Sequence, residues 1–191
     1  VDLAGYFKAR KISWGDILRE EVKKSSDLGK ELQGFMEKGA LVPDEVVSKV
    51  IRENLKNEDF ILDGYPRTLN QAKLLEDIFK DKGISYDVFL YIDVSQDTIM
   101  KRLTRRRVCK NCGDTYHLDN IPPKKDGICD KCQSPLIQRD DDNPEVIANR
   151  WNVFIKEAEK IIDFYQHNKK LVRIEGDGNK EDIYNRILKA L

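Results

Sequence analysis

FILDGYPR, residues 60–67, decides the fold. Phe60, Ile61 and Leu62 are an apolar run of strand type, and Asp63-Gly64 then breaks the chain into a loop that Pro66 stiffens before Arg67. Helical spacing follows from about Asn70 to Lys80, so the unit reads strand, loop, helix. On its C-terminal side VFLYIDV, residues 88–94, is a continuous apolar run, the pattern of a strand buried on both faces of a parallel sheet. Lys11 to Ser13 and Leu171 to Glu175 are two further short strand candidates. Helices are expected over Asp16 to Lys24, over Leu28 to Lys38 with Gly39 as the stop, and from Pro43-Asp44 to about Leu55. Others are expected over Gln96 to Arg106, Pro144 to Asn168 and Glu181 to Leu191. Strands alternating with helices in this way predict an α/β fold, a parallel sheet with flanking crossover helices.

The chain has 191 residues, one core's worth, and its 34 basic and 34 acidic side chains cancel. No global field recruits nucleic acid or an anionic membrane, and no apolar run approaches transmembrane length. A soluble cytoplasmic protein is expected, one that binds neither nucleic acid nor membrane. With 36% of residues charged, anion binding has to come from local clustering of arginines.

Four cysteines form two Cys-x-x-Cys knuckles, Cys109/Cys112 and Cys129/Cys132, sixteen residues apart. Each knuckle offers two thiolates to one tetrahedral ion, and the intervening residues suffice for a short β-rich loop folded back onto it. All four thiols are consumed, which favours a structural zinc over a catalytic one. The competing reading is a pair of disulfides, which needs an oxidising compartment, and nothing at the N-terminus resembles a signal peptide.

The remaining chemistry gathers at strand ends, where open α/β sheets bind ligands. Asp63 can hold magnesium through water and Arg67 can fork onto a phosphate, although the same residues also read as a turn and a surface charge. Arg102 and Arg106, four apart on an expected helix, share a face and can clamp one polyphosphate. A solvated helix end, or a nucleic-acid patch with Lys101 and Arg105, is the alternative. Arg139, before Asp140-Asp141-Asp142, and Arg150 supply two more guanidiniums, while the aspartates also read as hinge salt bridges.

The order Asp-Gly-Tyr-Pro-Arg-Thr-Leu-x-Gln-Ala from Asp63, Lys-Arg-Leu-x-x-Arg-Arg-Val-Cys from Lys101 and Gln-Arg-Asp-Asp-Asp from Gln138 resembles the adenylate kinases, in their long form with a zinc-containing lid. The resemblance covers nearly the whole chain. It extends to the stretch from Ile12 to Arg19 and to Gly39-Ala40-Leu41-Val42-Pro43-Asp44, which are similar to the family's monophosphate-binding segment.

That resemblance implies a P-loop NTPase-like parallel sheet and reversible phosphoryl transfer from ATP to AMP, giving two ADP. It implies a core of residues 1–104 and 143–191, with 13–42 as the acceptor-binding segment, and a zinc-binding lid of 105–142. Arg19, Arg67, Arg139 and Arg150 would grip the acceptor phosphate and the group in transit, and Arg102 and Arg106 would neutralise the donor triphosphate. Gln71 would read the acceptor adenine, with Trp14, Ala40, Leu41 and Val42 lining the pocket and Gly64, Tyr65, Pro66 and Arg67 passing over the phosphate. Thr115, Tyr116 and Gly178 would contact the donor, Asp63 would help place magnesium, and Cys109, Cys112, Cys129 and Cys132 would hold zinc. ATP and AMP are the implied partners of a monomer.

Two departures qualify the resemblance. No Gly-x-x-x-x-Gly-Lys-Ser/Thr loop occurs anywhere in the chain, which is expected to open at Val1 inside a first helix. By the family's pattern that loop and the first, central strand precede this point, so the strands at 60–62 and 88–94 would flank a gap. The expectation is an N-terminally truncated adenylate kinase with little or no activity as written. The second departure is Trp14, where the family most often carries a small hydroxyl residue; the indole can stack on or crowd the purine, or simply pack against the neighbouring helix. A non-catalytic nucleotide- or partner-binding relative is the alternative reading. A zinc-ribbon nucleic-acid module is the other, and Asp140 to Asp142 would repel its ligand.

Overall fold

The computed structural model describes residues 3–24, 26–38 and 40–191, apart from the side chain of Leu28. Gly39 as a helix stop and the opening at Val1 therefore lie outside the described residues. After a short α1 (Leu3–Phe7) the chain runs β1 (Arg10–Ser13), α2 (Trp14–Lys23), α3 (Asp27–Glu37), α4 (Asp44–Asn54), β2 (Phe60–Asp63), α5 (Leu69–Lys82) and β3 (Phe89–Asp93). It continues through α6 (Gln96–Thr104), β4 (Arg106–Cys109), β5 (Thr115–His117), β6 (Leu136–Ile137), a 3-10 turn (Asp140–Asp142), α7 (Pro144–His167), β7 (Leu171–Glu175) and α8 (Lys180–Ala190).

The helices begin where the sequence supplies caps. Side-chain oxygens of Ser26, Thr68, Ser95, Asn143 and Asn179 accept from the backbone N–H three residues on, satisfying donors that the first turn leaves orphaned. Pro144 at the first position of α7 gives up no hydrogen bond, and Gly83 closes α5 in the left-handed conformation at φ 63°.

The central strands are parallel, as the alternation of elements requires. β1 pairs with β2, Ser13 opposite Asp63, and β3 pairs with β7, Phe89 opposite Leu171. The two pairs are separate sheets among the described residues, and the facing edges of β2 and β3 line one cavity of about 1380 Å³. This corrects the expectation for residues 88–94. The strand is half-buried rather than enclosed on both faces, and Ile92, 42% exposed, lines that cavity.

The main core lies beneath α2 to α5, where Ile51, Leu55, Val47 and Leu75 are essentially sealed from solvent. Each such side chain contributes roughly 1.5–3 kcal/mol by leaving water. A second cluster ties α5 to α7 and β3: Tyr165 stacks on Phe89 with ring centroids 4.0 Å apart and packs with Ala72 and Ile161.

A further correction falls at residue 106. α6 stops at Thr104, and Arg106 opens β4, which pairs antiparallel with both β5 and β6. Those pairings, Arg106 with His117 and Cys109 with Leu136, are imposed by the cysteine-bearing loop and end the helical course. Arg102 and Arg106 therefore do not share a helical face.

Candidate active site and metal centre

Arginines from α2, the loop after β2 and α7 line the large cavity, and Arg139 lies close to this group. Arg19 of α2 donates to Asp16 at 2.5 Å and, with Arg67 and Arg150, lines the cavity. Arg67 follows β2; its Nε donates to the carbonyl of Gly64 at 2.8 Å. Burial first, then the neighbouring charges of Arg150 and Arg19, hold the Arg67 guanidinium below its ordinary range. Arg139, at the N-terminus of the 3-10 turn, is lowered in the same sense by burial and by Arg106 and Arg19. Arg150 of α7 donates to Asp141 at 3.1 Å. Arg67 and Arg139, each held below the ordinary range beside other guanidiniums, make this a candidate anion site.

Beside this cluster lies an apolar slot. Trp14, Ala40, Leu41, Val42, Tyr65 and Pro66 line the same cavity. Trp14, only 3% exposed, sits with Leu18 and Val42 in the core cluster, its ring 6.3 Å from that of Tyr65. This is the packed placement, on the slot's wall. Gln71, buried in the first turn of α5, also faces the cavity. Its Oε1 accepts from the Arg67 N–H at 2.8 Å, and its Nε2 donates to Asp44 Oδ1 at 2.8 Å. Asp44 was readable in the sequence only as a helix opening; its pairing with residues 26 and 27 positions away left no local signal.

Asp63 and Gly64 are exposed at the end of β2, where Lys11 Nζ lies 3.3 Å from the Asp63 carboxylate. Arg102 is turned away from Arg106 and donates to the carbonyls of Gly176 and Gly178 at 3.1 and 2.9 Å, which brings it together with the Gly178 loop. Arg106 instead meets Asp142, and Arg150 meets Asp141, so both aspartates sit in salt bridges.

The four cysteine sulfurs lie within 4.8 Å of one another. Cys109 and Cys132 are 3.3 Å apart and Cys112 and Cys129 3.6 Å, close to the roughly 3.8 Å edge of a tetrahedron with 2.3 Å metal–sulfur bonds. All four are free thiols, not disulfides. The Ser134 hydroxyl and backbone N–H hold the Cys132 thiol down to about 5, the thiolate form a metal requires. Tyr116 is buried against this cluster, its hydroxyl 3.4 Å from Cys129 Sγ and accepting from the Asp130 N–H. Its side chain thus serves the cysteines, and exposed Thr115 and the strand backbone are what β5 offers a ligand. His117 stands outside the set; its Nδ1 accepts from the Asp119 and Asn120 N–H groups. The cluster fits a structural metal. No helix among the described residues is long and apolar enough to cross a membrane.

A crowded arginine cluster, an adjoining apolar slot and a metal-ready cysteine loop on an α/β core agree with what comparison with known proteins gives. The family model described as adenylate kinase matches residues 2–170. An adenylate kinase of Petrotoga mobilis is 44% identical over 190 residues, covering 99% of this chain and 88% of that protein. One from Thermoanaerobacter sp. (strain X514) is 42% identical over 195 residues, covering 100% and 90%, and one from Bacillus pumilus 46% over 177 residues, covering 91% and 82%. With the match extending from the first helix to the end of the long one and identity above two-fifths throughout, the chain belongs to the adenylate kinase family.

Proposed function

We propose that the arginine-lined cavity is where a nucleoside monophosphate accepts a phosphoryl group from ATP. The chain is a nucleoside monophosphate kinase, converting ATP and AMP into two ADP. An oxygen of the acceptor phosphate attacks the terminal phosphorus of the donor, the bond to the bridging oxygen breaks, and ADP leaves with that electron pair. Such a transfer needs alignment and charge neutralisation more than a side-chain nucleophile. Magnesium accompanies ATP and supplies charge neutralisation along the phosphates.

In this reading Arg19, Arg67, Arg139 and Arg150 hold the acceptor phosphate and the moving group, and Arg106 and Arg102 serve the donor side. Trp14, Ala40, Leu41 and Val42 enclose the acceptor base, Gln71 reads it, and Gly64 to Pro66 cover its phosphate. Thr115, the backbone at Tyr116 and Gly178 meet the donor, and Asp63 helps to place magnesium through water. Residues 13–42 are the acceptor segment and 105–142 the lid, whose four cysteines hold zinc. Closure of the lid excludes water and keeps the donor from hydrolysis. A monomer in the cytoplasm, without nucleic-acid or membrane partners, suits the balanced charge.

The observation that carries this reading is the convergence of Arg19, Arg67 and Arg150 on the cavity that also exposes the apolar slot. The test is calorimetric titration with AMP together with a coupled assay of ADP formation from ATP and AMP. Saturable AMP binding that Arg67→Ala weakens is the expected result. Binding without ADP formation fits both the missing Gly-x-x-x-x-Gly-Lys-Ser/Thr loop and the non-catalytic relative, and absence of AMP binding overturns the site.

A further inference from the structure

A side-chain amide is an ambiguous reader of a purine. Adenine presents its 6-amino donor beside the N1 acceptor, whereas a 6-oxopurine presents an acceptor beside the N1–H donor, and an amide that can turn over pairs with either. Gln71 is not free to turn. The Arg67 N–H that meets its Oε1 can only donate, and the Asp44 carboxylate that meets its Nε2 can only accept. Reversal would set N–H against NH2 and oxygen against carboxylate in a place where Gln71 is only 2% exposed, so water cannot relieve the mismatch.

The lock is itself held in place. Asp44 is the first residue of α4; its Oδ2 accepts from Asn70 Nδ2 at 2.7 Å, and Thr68 Oγ1 stands 3.5 Å from both carboxylate oxygens. Asp44 does not line the cavity, so it acts through Gln71 rather than on a ligand.

We propose that Asp44 is a specificity-positioning residue: by fixing the orientation of the Gln71 amide it makes the cavity present one donor–acceptor order, selecting 6-aminopurine over 6-oxopurine monophosphates. This rests on the reading that Gln71 meets the acceptor base, and the test separates the two. Dissociation constants for AMP and for inosine monophosphate are measured calorimetrically with the unaltered chain, Asp44→Asn, Asp44→Ser and Gln71→Ala. Asparagine and serine can each donate or accept, so both unlock the amide on one side, and serine still suits the start of a helix should asparagine impair folding.

The expected result is a preference for AMP that falls by about tenfold in either Asp44 variant, through tighter inosine monophosphate and weaker AMP binding. It stays partial because the Arg67 N–H remains. A merely structural role for Asp44 weakens both nucleotides by one factor and leaves the ratio unchanged, which overturns the proposal. If Gln71→Ala abolishes the preference while both Asp44 variants retain it, the base reading stands and the lock falls. If Gln71→Ala leaves the preference intact, both fall.

Discussion

Arg106 and Asp142 meet in a two-point ion pair, Nε to Oδ2 at 2.9 Å and Nη2 to Oδ1 at 2.5 Å, across the junction between the cysteine-bearing sheet and α7. The Asp142 side chain is wholly buried and that of Arg106 only 21% exposed. Removing one member of such a pair strands the other charge, at about 3 kcal/mol. Asp142→Ala should lose about that much stability in urea denaturation at neutral pH; a loss below about 0.5 kcal/mol would show that solvent already screens the pair.

The cysteine cluster makes a separate prediction about composition. The purified chain should carry one zinc, released by a strong chelator or lost in Cys129→Ser. Because a small metal site holds most of the folding energy of its loop, proteolysis should then cut within residues 106–137 while α5 and α7 stay intact. Resistance of that segment after metal loss would mean that the β4, β5 and β6 pairings suffice alone.

Glu157 links α7 to the start of α5. It receives Lys160 Nζ at 2.7 Å and the Leu69 N–H at 3.3 Å. Lys160 first, with help from that N–H, holds its carboxyl below the ordinary glutamate range. A carboxyl depressed on folding contributes stability above its unfolded value and loses it as pH falls through the folded one. The stability deficit of Glu157→Gln should therefore be full at neutral pH, begin to shrink as pH falls through the ordinary glutamate range and vanish below the depressed folded value. A deficit independent of pH would assign the effect to packing.

Arg67 sits where function and stability oppose each other, since Arg150 and Arg19 both disfavour its charge. Arg67→Met should weaken AMP binding and any phosphoryl transfer by about 100-fold while leaving the melting temperature unchanged or higher. A large drop in melting temperature would make Arg67 chiefly a structural strut through its bond to the Gly64 carbonyl.

How far the sequence alone reaches differs from element to element. Leu171 to Glu175 and the strand, loop and helix around Asp63 were legible because each is local: an apolar run, a glycine, a proline, helical spacing. Arg106 was misplaced because helical spacing runs on past Thr104, whereas the partner that draws it into β4 is His117, in another strand of the cysteine-bearing loop. The exposure of Ile92 is not legible in the apolar run itself, which reports hydrophobicity alone, although Ile92 lines the cavity where the strands at 60–62 and 88–94 were expected to flank a gap. In the site, the arginines were legible as types in order, but the acids that set their geometry, Asp44 behind Gln71 and Asp142 behind Arg106, are long-range partners.

α7 carries a mechanical consequence. At 1.5 Å per residue its 24 residues form a rod of about 36 Å, seated in the aromatic cluster at Tyr165 and bearing Arg150 near its other end. For such a rod, pivoting by about 5° about its seated end sweeps the first turn through roughly 3 Å, a whole hydrogen-bond length. Leverage of that size means that substitutions beneath Tyr165, far from any phosphate, can retune where Arg150 points.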